Sequence, residues 1–168
     1  TPFFVVFGSL SDRIGRKRVM LTGCLLAALT YVPLYAATKA LANPAMAPSV
    51  TGLPWPNLIG LVGLLFVQMI YVTMVYGPIA AYLVELFPTS IRYTSMSLPY
   101  HLGNGWFGGF LPLIATAVTT SAWAQATFGP NAIYTGLAYP IAICLMTLLV
   151  GGLFIRETKD HKIDTPIR

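Results

Sequence analysis

The sequence predicts an all-α fold, a polytopic bundle of membrane-crossing helices. Three observations predict it. Apolar residues make up 56% of the 168 and charged residues 9%, with a mean hydropathy of +0.72, whereas soluble globular domains carry about 25% charged residues. Charge is missing over long runs: Lys39 alone interrupts the stretch from Val19 to Val84, and no charged residue stands between Tyr93 and Ile155. The remaining cations gather in three places, the 11–18 turn, Arg92 and the 156–168 tail, as cations gather in the loops on one side of a bilayer. A net charge of +5 placed in this way gives no support to nucleic-acid binding.

A hydrocarbon core needs roughly 20 apolar residues of helix, and each stretch can be tested against that length. The chain opens inside an apolar run, without an initiator Met or the basic start of a signal peptide, so residues 1–10 are expected to be the last turns of a truncated helix. Residues 11–18 form a charged turn. Residues 19–38 predict the first full span. Residues 39–57 hold Pro44, Pro48, Pro54 and Pro56 and predict an ordered, non-helical loop. Residues 58–86 predict a long span with a kink at Gly77-Pro78. Residues 94–119 predict a glycine-rich span, 121–131 a second non-helical loop, 132–155 the last span and 156–168 a tail. Four spans put the 11–18 turn, the 87–93 turn and the tail on one side. These hold every Lys and Arg except Lys39, so all three, the C-terminus included, are expected in the cytoplasm. Trp55 and Trp123, in the two opposite loops, have the character of interface anchors. Cys24 and Cys144 fall in apolar runs, which fits buried thiols rather than a disulfide framework or a metal site.

Three motifs carry chemistry. In Gly8-x-x-x-Asp12-Arg13-x-Gly15-Arg16-Lys17-Arg18, Gly8 permits close approach of a neighbouring helix and Gly15 the positive φ of a tight turn. Asp12 can face the positive end of another helix, the one starting near Tyr93 being a candidate. Arg13 and Arg16 can bridge to carboxylates or carbonyls; the plainer reading is topogenic charge alone. In Glu85-Leu-Phe87-Pro88-Thr-Ser-Ile-Arg92, Glu85 is the one acid between Asp12 and Glu157. A carboxylate beside lipid is expensive unless paired. Arg92 can pair with it, or either can reach the 11–18 turn, or both can sit in headgroup water. The third motif runs Ser95-Met-Ser97-Leu-Pro99-Tyr100-His101-Leu-Gly103-Asn104-Gly105-Trp106-Phe107-Gly108-Gly109.

Polarity within the spans is uneven. Residues 19–38 and 132–155 are nearly all aliphatic, as suits helices facing lipid. The 58–86 span carries Gln68, Tyr71 and Tyr76, and the 94–119 span carries Ser97, Tyr100, His101 and Asn104. Polar groups in a membrane face the bundle interior or a wet cavity. Ser97, His101 and Asn104 recur at i, i+4 and i+7, one stripe of a helix. These seven are the candidate substrate-pathway residues. For His101 the alternatives are a packed residue and a proton carrier. For the tyrosines they are packing and substrate contact. For Asn104 they are interhelical hydrogen bonding and site. The glycines of the third motif suit helix packing, since no strand precedes them as a phosphate loop requires.

The first motif resembles the cytoplasmic signature loop of the major facilitator superfamily. The second resembles an element that follows the tenth helix in several facilitator families, sugar porters among them. The third is similar to the eleventh helix of the metabolite:proton symporter family, and Arg156-Glu157-Thr158-Lys159 resembles the close of the twelfth helix. The resemblance covers essentially the whole chain, as the end of helix eight through helix twelve. It implies a C-terminal half whose partner is the N-terminal half of the same transporter. It also implies a site in the bacterial inner membrane, no bound cofactor, the proton as coupling ion, and a small organic substrate such as an organic acid or betaine. In that scheme Gly8, Asp12, Arg13, Gly15, Arg16, Glu85 and Arg92 form a cytoplasmic gate in alternating access. The rivals are a sugar or polyol porter, a gradient-independent facilitator, and a non-transporting sensor or assembly module. No nucleophile–base pair or metal-spaced cluster supports an enzyme.

Overall fold

The computed structural model describes residues 2–42 and 53–158. The 43–52 part of the proline-rich link, with Pro44 and Pro48, and the tail from Lys159 lie outside the described residues. Among the described residues there is no strand. The helices are α1 (Pro2–Ile14), α2 (Arg16–Ala42), α3 (Trp55–Leu86), α4 (Arg92–Leu102), α5 (Leu111–Thr120), α6 (Ala122–Phe128) and α7 (Ala138–Phe154), with a π-helical turn at Gly103–Gly108 and a 3-10 segment at Gly129–Leu137.

Three helical runs are long and apolar enough to cross a bilayer: Arg16–Ala42, Trp55–Leu86 and Ala122–Phe154. With its one-sided apolar faces exposed, the chain is a polytopic membrane bundle. Large apolar side chains such as Leu29, Ile59, Leu149, Leu153 and Phe154 are turned outward, the reverse of a soluble core. α3 packs between α1 and α2, and α2 also packs along α7.

Local sequence sets the boundaries. α1 ends because Gly15 takes φ 114°, and its N–H returns to the Ser11 carbonyl at 3.0 Å, the bond of a left-handed helix cap. α2 therefore starts at Arg16, inside the span expected to be a turn. α3 starts behind Pro54 with Pro56 in its first turn, where a missing N–H costs nothing. It runs on through Pro78 and stops at Leu86, because Phe87 precedes Pro88 and is extended (φ −113°, ψ 138°), as a residue before proline prefers.

Residues 39–42 and 55–57, expected as loop, belong to α2 and α3, and residues 132–137, expected in the last span, belong to the 3-10 segment. Two further segments differ from expectation. Residues 94–119 are not one helix but α4, a π turn and α5. Gly103, Gly105, Gly108 and Gly109 give this stretch little helix propensity, and Pro112 opens α5. Residues 121–131, expected as loop, are mostly helical. Ser121 caps α6, its Oγ accepting from Ala124 N–H at 3.2 Å, and Gly129 at φ 49° ends it. Lys39 ties this region to the end of α2, donating to the Pro130 carbonyl at 2.6 Å and lying over the Tyr134 ring.

Candidate functional site

The site begins with a close helix crossing. A Cβ on Gly77 would stand 3.1 Å from the Phe4 carbonyl oxygen and 3.2 Å from Gly8 N, so Gly77 of α3 and Gly8 of α1 meet backbone to backbone. This brings the C-terminal turn of α1 beside the last turns of α3. Gly15 then turns the chain, and Arg16 points back into the crevice.

Arg16 is only 8% exposed, and each of the three nitrogens of its guanidinium has a partner. Nη2 donates to Glu85 Oε1 at 2.8 Å, and Nε lies 3.3 Å from both Glu85 oxygens. This fork-on-carboxylate geometry is one that Lys cannot supply. Nη1 donates to Ser11 Oγ at 2.8 Å, is ion-paired with Asp12, and lies 3.5 Å from the Gly8 carbonyl. Ser11 is fully buried and donates to that same carbonyl at 2.6 Å.

A third stretch of chain closes the knot. Beyond α7, Thr158 is 1% exposed and donates to Glu85 Oε2 at 2.5 Å. Glu157 Oε1 accepts the Arg16 backbone N–H at 2.7 Å and the Thr158 N–H at 3.1 Å. Three cations at the start of α2 oppose the helix dipole, and a carboxylate at that N-terminus offsets them. Gly15 is required twice here. Its φ is left-handed, and a Cβ would run into the Glu157 carboxylate. Lys17 fastens α2 to α7 by donating to the Gly152 carbonyl at 2.8 Å.

Gly8, Asp12, Gly15, Arg16 and Glu85 are thus one cluster. Arg13 is exposed on the other side of α1, beside Val6, Ser9 and Leu10. Arg92 donates to the Phe87 carbonyl at 3.1 Å, clamping the turn between α3 and α4. The expected helix-end partner of Asp12 is replaced by Arg16, one turn along.

The pathway candidates fall in two groups. Tyr76 donates to Asn104 Oδ1 at 2.6 Å, linking α3 to the π turn, and Tyr100 and Asn104 share the wall of one cavity. Ser97 lines a cleft with Ala80, Leu83 and Tyr100. His101 is exposed, its ring 5.9 Å from that of Tyr100. Because the π turn starts at Gly103, the α-helical stripe through Ser97, His101 and Asn104 is rotated after His101. On the α2 side, Tyr71 is hydrogen-bonded to Thr30 Oγ1 at 3.2 Å. Gln68 Nε2 is the one buried side-chain nitrogen or oxygen without a partner among the described residues.

The sequence pattern of the Major Facilitator Superfamily matches residues 1–166. The chain belongs to that superfamily. Relatives include a citrate-proton symporter of Klebsiella pneumoniae, 35% identical over 141 residues, which are 84% of this chain and 29% of the relative. An alpha-ketoglutarate permease of Escherichia coli K12 is 27% identical over 140 residues, 83% of this chain and 29% of the relative. The ectoine/proline transporter ProP of Corynebacterium glutamicum is 35% identical over 162 residues, 94% of this chain and 29% of the relative. The chain spans under a third of the length of these relatives. No solved structure matches it.

In this facilitator chain, sequence reasoning passed over Ser11, Glu157 and Thr158 as members of the knot. The signal for the last two is present in Arg156-Glu157-Thr158-Lys159, which resembles the close of the twelfth helix, but nothing in that text says which helix ends it meets. Ser11 carried no signal beyond its place one turn before Gly15.

Proposed function

We propose that this chain forms part of a secondary active transporter in the inner membrane, moving a small carboxylate-bearing metabolite together with protons by alternating access. The observation that carries the reading is Arg16. At a single end of the bundle its nearly buried guanidinium joins the α1–α2 turn to the end of α3, and its backbone N–H together with Glu85 holds the segment after α7. Such a knot is a reversible clamp. Its bonds are individually strong and directional, and all are lost together if the helices tilt apart. Asp12, Gly15, Arg16, Glu85 and the Arg92 turn serve as the cytoplasmic gate, with Gly8 as its pivot contact and Arg13 at its outer edge. The C-terminus lies on the same side.

Gln68, Tyr71, Tyr76, Ser97, Tyr100, His101 and Asn104 form the pathway. The unsatisfied Gln68 amide is a donor suited to a carboxylate, and His101 adds an exposed imidazole on α4. The substrate class follows the relatives named for citrate, alpha-ketoglutarate, and ectoine and proline. The rest of the transporter supplies the other half of the cavity. Alternating access then follows from differential affinity of substrate and proton for the two states.

The test is uptake by the full-length protein in proteoliposomes, using labelled citrate, alpha-ketoglutarate and betaines, with and without an inward proton gradient. Uptake that collapses with a protonophore is expected. Uptake indifferent to the gradient makes the protein a facilitator, and sugar uptake in its place makes it a porter of that class. No flux of any solute from folded protein overturns the reading in favour of a sensor or assembly module.

A further inference from the structure

Two hollows meet at the charged end of the bundle, between α2 and α7. The outer one, about 690 Å³, is lined by Lys17, Arg18 and Arg156 with Glu157 as its one acid. The inner one, about 250 Å³, is the cavity that Tyr100 and Asn104 wall on one side; apolar groups of α2 and α3, among them Met20, Cys24, Ile79 and Leu83, wall the other. Lys17, Leu21 and Ile155 line both, so a cationic mouth leads into an apolar hollow.

Among the described residues, three cations and one acid line the mouth. Glu157 already accepts from two backbone N–H groups, and Lys17 donates one of its three N–H groups to the Gly152 carbonyl. Arg18 and Arg156 are exposed. The flanks are the outward apolar faces of α2 and α7, where Leu25, Leu149, Leu153 and Phe154 stand exposed. The mouth therefore opens toward acyl chains, while the far end of the inner hollow reaches Tyr100 of α4 and Asn104 of the π turn. Basic pockets between transmembrane helices near the headgroup level attract phosphate headgroups, and long cationic side chains there extend to the polar boundary.

We infer that this is a binding site for an anionic diacyl phospholipid, with its phosphate against Lys17, Arg18 and Arg156 and an acyl chain in the hollow beside Met20 and Cys24. A lipid fits where a free phosphate does not, because the cationic wall and the apolar wall are continuous through Leu21 and Ile155. The occupant would brace α2 against α7 next to the Arg16 knot, and so bias the clamp.

Native mass spectrometry of the full-length protein tests this independently of any transport. The protein is released from detergent after addition of phosphatidylglycerol or of phosphatidylcholine with the same chains. Preferential retention of phosphatidylglycerol is expected. The double variant Arg18→Gln/Arg156→Gln, altered at two exposed positions outside the knot, should bind phosphatidylglycerol roughly thirtyfold more weakly, with phosphatidylcholine unchanged. Glycerol phosphate, the headgroup without chains, should not displace the lipid at millimolar concentration. Equal retention of the two lipids, wild-type binding by the double variant, or displacement by glycerol phosphate would each overturn the assignment.

Discussion

Around Arg16, three stretches far apart in sequence are locked by charged hydrogen bonds, and Ser11, Arg16 and Thr158 are buried. From Arg92 to Thr120, by contrast, no residue is buried, α4 touches α3 only sparsely, and the helix loosens into a π turn over glycine-rich sequence. Both regions are polar and both lie in an apolar chain. The difference lies in what holds them. The knot is specified by its own side chains, so it has one arrangement and a sharp cost for leaving it. Within the 92–120 stretch, α5 packs on the 129–137 segment, but α4 and the π turn are held by a few bonds such as Tyr76–Asn104, so they can bend or repack at small cost. Under the proposed function, the first region would serve as the latch and the second as the adaptable wall.

The comparison is broken most severely at Arg16. Arg16→Ala leaves Glu85 without its charge partner in a largely buried place, and loss of one member of a buried pair costs about 3–5 kcal/mol. Thermal unfolding of the purified full-length protein should show the largest fall in Tm of any single change in the knot. Arg16→Lys should recover only part of it, because the two-point contact with Glu85 is gone. Next comes Gly15→Ala. Its left-handed φ alone costs about 1–2 kcal/mol, and the methyl group displaces Glu157 besides. A Tm equal to wild type would mean that the turn is not held as described.

Glu157→Gln is milder. The amide still accepts from the Arg16 N–H but removes the anion at the α2 N-terminus, worth about 0.3–1 kcal/mol and screened by salt. The Tm difference from wild type should therefore shrink as ionic strength rises. The smallest stability effect belongs to the other region. Tyr76→Phe removes one hydrogen bond at an exposed position, so less than about 1 kcal/mol is expected, yet the KM for uptake should change because the wall around Asn104 is altered. A large Tm loss with unchanged KM would reverse the roles given to the two regions.

Much of the fold was legible because the bilayer imposes a coarse rule. Runs without charge must be helices that cross or lie within it, and α2, α3 and α7 follow from that rule. Gly15 was legible because a D-R-x-G-R-K turn needs a residue that tolerates positive φ. What escaped the sequence was of two kinds. Local breaks within apolar runs, the π turn at Gly103–Gly108 and the α6 cap at Ser121, depend on backbone bonding that hydropathy does not register. Long-range partners depend on which helix ends meet. Arg16 and Glu85 are 69 positions apart and Arg16 and Glu157 141. The choice of Arg16 for Glu85, left open against Arg92 and headgroup water in the sequence, is settled by the Gly8–Gly77 crossing that brings α1 and α3 together.

Asp12 offers the cleanest test of whether the knot is a gate or only a brace. Its side chain is 60% exposed, and an exposed ion pair contributes about 0–1 kcal/mol to stability, so Asp12→Asn should leave expression and Tm near wild type. The measurement is initial proton-driven uptake by the Asp12→Asn protein in proteoliposomes, beside wild type at equal folded content. A gate predicts that uptake is cut while the protein remains folded. Normal uptake by folded Asp12→Asn protein would contradict the gate and leave the knot as a structural brace.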